Sequence, residues 1–169
     1  VSRIDAVVDD ALDVLGRREL KGRAGVSKAR VVYAHYQAVL EGDRWLALER
    51  LGARPQRPMW ASTSVKNPAY PDTMYVDNLV GPGTVSTVPL ATLDAFLDHG
   101  NPRATLAEGL DRARVHLSRL AELDLNFTDL GERLQRDGVS AFVDSFDALQ
   151  DAIADRRIEC ADVGNGHQA

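Results

Sequence analysis

Residues 57–100 read RPMWASTSVKNPAYPDTMYVDNLVGPGTVSTVPLATLDAFLDHG, and this stretch decides the fold class. Pro55 and Pro58 exclude a helix interior around its start. PMWAS is a short apolar run of the kind that fills a buried strand in a parallel sheet covered on both faces. KNPAYPD is a loop, and DTMYVDNLVG leaves room for a short helix. GPG at 81–83 is a turn, and TVSTV at 84–88 is a second short strand that Pro89 ends. A helix beginning near Thr92 closes at Gly100. Strand, helical crossover and strand in this order predict a right-handed βαβ unit and an α/β fold with parallel strands.

Working outward, the flanks are helical. Ile4, Val7, Val8, Ala11, Leu12 and Leu15 recur at helical spacing, with Asp5 as a cap or first-turn acid and Gly16 as the stop. Ala29, Val32, Tyr33, Tyr36 and Leu40 share a face of a second helix, which breaks at Gly42-Asp43 and resumes through Trp45, Leu48 and Leu51. Three stripes follow the central stretch: Leu106, Leu110, Ala113, Leu117 and Leu120; Phe127, Leu130 and Leu134; and, after Gly138, Val139, Phe142, Val143, Phe146, Leu149 and Ile153. Two short parallel strands alone would leave open edges. The pattern calls for further strands upstream, and VSRIDAVVDDALDVL, entering a helix within four residues of Val1, reads as an opening cut from something longer.

Composition narrows the function classes. The 169 residues carry a net charge of −5 and 44% hydrophobic content, which suits one folded domain. With a pI near 5.3, binding to nucleic acid or to an anionic membrane would need a local basic patch. The only candidate, GRRELKGRAGVSKAR at 16–30, reads as a solvated helix start and loop. Cys160 is the sole cysteine, so neither a disulfide framework nor a thiolate metal site is expected. No apolar run approaches the roughly 20 residues of a membrane span, no signal peptide is seen, and a cytoplasmic setting is expected.

The chemistry on offer gathers at the end of the first strand. In parallel α/β folds ligands collect where strand C-termini meet the following loops. Ser62, Thr63 and Ser64 follow such an end and Lys66 lies just beyond; hydroxyls, backbone N–H groups and an ammonium make a phosphate receptor, though a cap and a surface lysine fit the composition as well. Arg3, before the first helix, has the fork to grip a phosphate or to form a surface ion pair. His35, His99, His116 and His167 share no ligand spacing, so no metal site is expected; His99 beside Gly100 reads as a helix C-terminal charge. Asp9-Asp10 reads as a solvated face, and Lys21 and Lys28 have nothing to desolvate them.

The quoted stretch strongly resembles the seventh and eighth strand regions of transaldolase, in its actinobacterial form. SRIDAVVDDALD resembles the turn and helix after the sixth strand, and VSAFVDSFDALQDAI the closing helix; the likeness runs to about Arg157. The resemblance implies the C-terminal portion of a (β/α)8 TIM barrel, mostly helical with about two core strands, over residues 1–157, followed by a polar tail at 158–169. It implies a cytoplasmic transferase of the pentose phosphate pathway that moves a dihydroxyacetone unit between sugar phosphates through a Schiff base, without cofactor or metal. Fructose 6-phosphate, sedoheptulose 7-phosphate, erythrose 4-phosphate and glyceraldehyde 3-phosphate are the implied substrates.

The family's Schiff-base lysine lies on the fourth strand and its proton-handling acids on the first and third, so no catalytic residue is expected in this chain, which would be inactive without the N-terminal part of the barrel. Three positions carry over as substrate-phosphate ligands: Arg3 after the sixth strand, Ser62 closing the seventh, and Lys66 where other relatives have arginine. The loop from Ser62 to Lys66 is longer than in those relatives, and Ser86 and Val88 stand where the family pattern has Asn and Met. The alternative is a non-catalytic helical phosphate-binding or interaction module derived from the same family.

Overall fold

The computed structural model describes the backbone of residues 1–165 and side chains through residue 157. It divides into two compact units, the first Val1–Asn126 and the second beginning at Phe127. The first unit holds α1 (Ser2–Val14), α2 (Ala24–Glu41), α3 (Asp43–Arg50), β1 (Met59–Trp60), α4 (Met74–Leu79), β2 (Val85–Ser86), α5 (Leu90–His99) and α6 (Leu110–Ala121). The second is one long helix, α7 (Phe127–Asn165), which runs through Gly138 without the break its spacing suggests. The expected polar tail, with Cys160 and His167, lies where side chains, or from 166 the backbone too, are outside the described residues.

The two strands pair in parallel, Met59 with Val85 and Trp60 with Ser86. Val85 N–H donates to the Pro58 carbonyl (2.9 Å) and Thr87 N–H to that of Trp60 (3.0 Å). The βα order, the parallel register and the predominance of helix are those of a partial TIM barrel. Against the strands packs a core of Val26, Ala29, Tyr33, Trp60, Tyr75, Leu79 and Leu106. Leu106 enters it from the turn before α6, not from the helix, because the Leu106 and Thr105 N–H groups both donate to the Val80 carbonyl at 3.0 Å and seat that turn on the end of α4.

α1 departs from its expected face. Its buried residues are Ser2, Asp5, Val8, Asp9 and Leu12, roughly a quarter-turn round the helix from the stripe the apolar spacing marks. Leu15, assigned to that stripe, is exposed. The cause is a pair of buried carboxylates. Asp5 caps nothing on α1; it accepts the Gly25 N–H at the start of α2 (3.0 Å) and the Tyr75 hydroxyl (2.9 Å). Asp9, expected in solvent, is 6% exposed and accepts the Gly22 N–H (2.9 Å) and the Tyr70 hydroxyl (2.6 Å), while Asp10 does face solvent. Gly25 is required by this approach: a Cβ there would sit 2.8 Å from Asp5 Oδ2 and 2.9 Å from the Val1 carbonyl oxygen.

Candidate phosphate-binding site

The C-terminal ends of β1 and β2 and the start of α1 are brought to one place by backbone bonds. The Val1 nitrogen donates to the Ala61 carbonyl (2.6 Å) and the Ser2 N–H to that of Ser62 (2.9 Å). The segment entering α1 therefore lies alongside the exit of β1, as a third strand would. On the other side, the fully buried Thr63 donates its hydroxyl to the Thr87 carbonyl at the exit of β2. Ser62 itself is left-handed, with φ of 57°, a conformation costing a non-glycine residue roughly 1–2 kcal/mol. That residue turns the chain sharply out of the strand while its carbonyl stays bonded to α1.

Arg3 is exposed in the first turn of α1, adjacent to the residue that bonds Ser62. Neither its guanidinium nor the half-buried Ser62 hydroxyl has a hydrogen-bond partner among the described residues. Lys66 is exposed four residues on, its Nζ donating to Ser64 Oγ at 3.0 Å. No direct bond joins Arg3, Ser62 and Lys66 among the described residues; the Ser2–Ser62 bond sets Arg3 near Ser62 at the rim where β1 exits, and Lys66 follows in the next loop. The N-terminus of α1, the positive end of the helix dipole, begins at the same place, its Ser2 N–H already given to the Ser62 carbonyl and its Ile4 N–H to that of Val1.

The loop carrying Lys66 is anchored at several points. Asn67 uses its side chain to accept the Ala69 N–H (3.0 Å) and its carbonyl to accept the Tyr70 N–H (3.1 Å), closing a local turn. Tyr70 then reaches to Asp9, and burial followed by the Asp9 carboxylate raises its phenol pKa, which keeps it a hydrogen-bond donor. Gly22, at φ of +69°, lies under the Tyr70 ring, where a Cβ would meet the Tyr70 Cζ at 2.8 Å. Further along, Asp72 accepts His99 Nε2 at 2.9 Å, and Asp72, then Asp98, raises the His99 pKa. Thr63, Tyr70 and Asp9 thus hold the loop, and sequence reasoning assigned them no such role.

The remaining candidates fall elsewhere. Lys21 is bonded to Asp13 Oδ2 at 2.6 Å, away from the strand ends. His99 ends α5 as its sequence position suggests. Among the described residues no cluster of His, Cys, Asp and Glu is arranged to hold a metal, and no helix is long and apolar enough to cross a membrane.

Parallel strands joined by a helical crossover, with the entry to α1 bonded alongside the exit of β1, define a fragment of an α/β barrel. The family pattern for "Transaldolase/Fructose-6-phosphate aldolase" matches residues 1–153, and the chain belongs to that family as a C-terminal part. It is 46% identical over 158 residues to the transaldolase of Thermobifida fusca (strain YX), covering 91% of this chain and 43% of the relative. It is 46% identical over 153 residues to transaldolase 2 of Streptomyces avermitilis, covering 88% of this chain and 41% of the relative. The transaldolase of Neisseria meningitidis serogroup A is 46% identical over 142 residues, with 84% and 40% covered. The chain thus spans about two fifths of the length of these curated relatives.

Proposed function

We propose that residues 1–157 form the phosphate-gripping side of a transaldolase active site that transfers a dihydroxyacetone unit between sugar phosphates of the pentose phosphate pathway in the cytoplasm. The observation that carries this reading is the bond from Ser2 N–H to the Ser62 carbonyl, which sets the α1 N-terminus and Arg3 beside the exit of β1. Arg3 offers a two-pronged contact to phosphate oxygens, Ser62 a hydroxyl donor and Lys66 a mobile point charge. A phosphate held there fixes the far end of the sugar, so that its carbonyl is presented to the Schiff-base lysine of the N-terminal barrel half. Binding energy at the phosphate is used in this way to position the reacting carbon. Fructose 6-phosphate and sedoheptulose 7-phosphate as donors, and erythrose 4-phosphate and glyceraldehyde 3-phosphate as acceptors, all carry the required group. The chemistry needs neither cofactor nor metal, and the 169-residue chain alone is inactive.

A coupled assay of the purified chain with fructose 6-phosphate and erythrose 4-phosphate tests the last point. No turnover is expected, and turnover above background overturns it. In a protein carrying the complete barrel, Lys66→Ala should raise KM for fructose 6-phosphate at least about tenfold, the loss of one charge-assisted contact, and leave cleavage of unphosphorylated fructose nearly unchanged. Equal losses on both sugars would remove Lys66 from the phosphate site.

A further inference from the structure

A second cationic site lies away from the strand ends. Where the N-terminus of α2 meets α4 and α6, a cavity of about 460 Å³ is lined by Arg23, Arg30, Arg112 and His116, and none of Arg3, Ser62 or Lys66 borders it. No carboxylate lines it either. Among the described residues no ion pair engages Arg23, Arg30 or Arg112, although this chain carries 25 acidic residues against 20 basic ones. Glu108 and Asp9, the carboxylates whose fields reach Arg30 and His116, are occupied by Arg103 and by Gly22 and Tyr70.

Two buried atoms here have no hydrogen-bond partner: Arg30 Nε and His116 Nε2. Buried polar groups in folded proteins are overwhelmingly paired, and an orphan calls for a missing ligand. His116 is 8% exposed, so its ring is held in place by packing of α6 against α2. Arg30 is oriented by Asn78 Oδ1, which accepts its Nη2 at 3.1 Å and leaves other N–H groups of the fork unused. Like charges crowd the site: after desolvation, Arg112 lowers the Arg30 pKa, and Arg23 lowers that of His116. A bound anion would relieve that crowding. Val26, Met74 and Ala113 add an apolar patch to the wall, which Gly22, Ser27 and Asn78 complete.

We propose that this cavity is a second anion site that takes a small phosphorylated organic molecule, its phosphoryl group between Arg30, Arg112 and His116 Nε2 and its organic part against Val26, Met74 and Ala113. The volume suits a small metabolite, since ligand pockets run from roughly 300 to 1,000 Å³. Guanidinium pairs are the groups best matched to phosphoryl oxygens. A neutral imidazole protonated at Nε2 adds a third donor. The site does not depend on the reading of the strand-end rim, and either can fail without the other.

His116 gives a local readout. Imidazole nitrogen NMR of the chain, at neutral pH and fixed ionic strength, should show the His116 resonance moving to saturation with inorganic phosphate, and at lower concentration with phenyl phosphate, while His35 stays still. Lys66→Ala should leave the titration unchanged. Arg112→Gln, an exposed position with little cost to folding, should weaken binding at least about tenfold, as expected for one charge-assisted phosphate contact; Arg30→Gln should do the same. A His116 resonance indifferent to both probes overturns the proposal, as does a titration that survives the Arg112 and Arg30 substitutions. Phenyl phosphate binding no tighter than phosphate overturns the assignment of the apolar wall.

Discussion

Helices α1 and α7 carry apolar residues at similar spacing and come out opposite. In α1, Val8 and Leu12 are 2% and 0% exposed, and two aspartates are buried beside them. In α7, Phe142 and Phe146 are 80% and 59% exposed, and Val139, Val143, Leu149 and Ile153 are exposed with them. Periodicity marks a face that can be buried; whether it is buried depends on what that face meets. α1 meets α2, α4 and the segments that lead into them, which present N–H and hydroxyl donors as well as carbon, and the helix has rolled to give its carboxylates to those donors.

The sharpest way to break this contrast is to empty the α1 interface. Leu12→Ala should cost roughly 2–5 kcal/mol in urea unfolding, the range for a fully buried leucine. A cost below about 1 kcal/mol would mean that Leu12 is not part of a packed core. The carboxylates come next. Burial raises the Asp5 pKa above its ordinary 3.8, against the bonds from Gly25 and Tyr75 that favour the anion. Between 3.8 and that raised value the folded chain binds more protons than the unfolded one, so this group's contribution falls as pH rises through the window and levels off above it. Asp5→Asn keeps an acceptor for the Gly25 N–H, and Tyr75 can turn to accept from the new amide. The variant should lie within about 2 kcal/mol of the parent at neutral pH and lack the acid-side component, read as the difference between the two stability–pH curves. Identical curves would refute the raised pKa.

How far the sequence carries can be argued from the same residues. The βαβ core was readable because Pro58, Pro89 and the GPG turn punctuate short apolar runs, and few backbones satisfy that order. The family was readable because residues 57–100 form a long, specific match. The roll of α1 was not, since Asp5 looks like a cap or first-turn acid and Asp9 like a solvent-facing one until Gly22, Gly25, Tyr70 and Tyr75 are placed against them across 13 to 70 positions of chain. The run DAVVDD carries no mark of which acid is buried. The cavity between α2 and α6 was hidden for the same reason: Arg23 and Arg30 read as scattered surface charge until Arg112 and His116 arrive from α6. Within the rim, the N-terminal strap over β1 needed coordinates, because no local signal pairs Ser2 with Ser62.

A smaller effect separates the two kinds of contact holding the Lys66 loop. Tyr70→Phe keeps the ring over Gly22 and removes the bond to Asp9, so it should cost about 1 kcal/mol. It should also raise amide exchange in residues 66–72 more than in α2. Uniform exchange changes would place the anchor elsewhere.

The smallest expected effect lies in α7. Phe142 stands 80% exposed on a helix where alanine has the higher intrinsic propensity. Phe142→Ala should therefore change stability by less than about 0.5 kcal/mol, as surface substitutions do, whereas Leu12→Ala removes a similar kind of side chain at several times the cost. The measurement should be made at two protein concentrations. A loss of about 2 kcal/mol that grows with concentration would mean that copies of the chain cover the Phe142 face in solution, and a concentration-independent loss that α7 is packed within one chain. Either result would turn the contrast between the helices into a statement about partners, because the apolar spacing of the two is already alike.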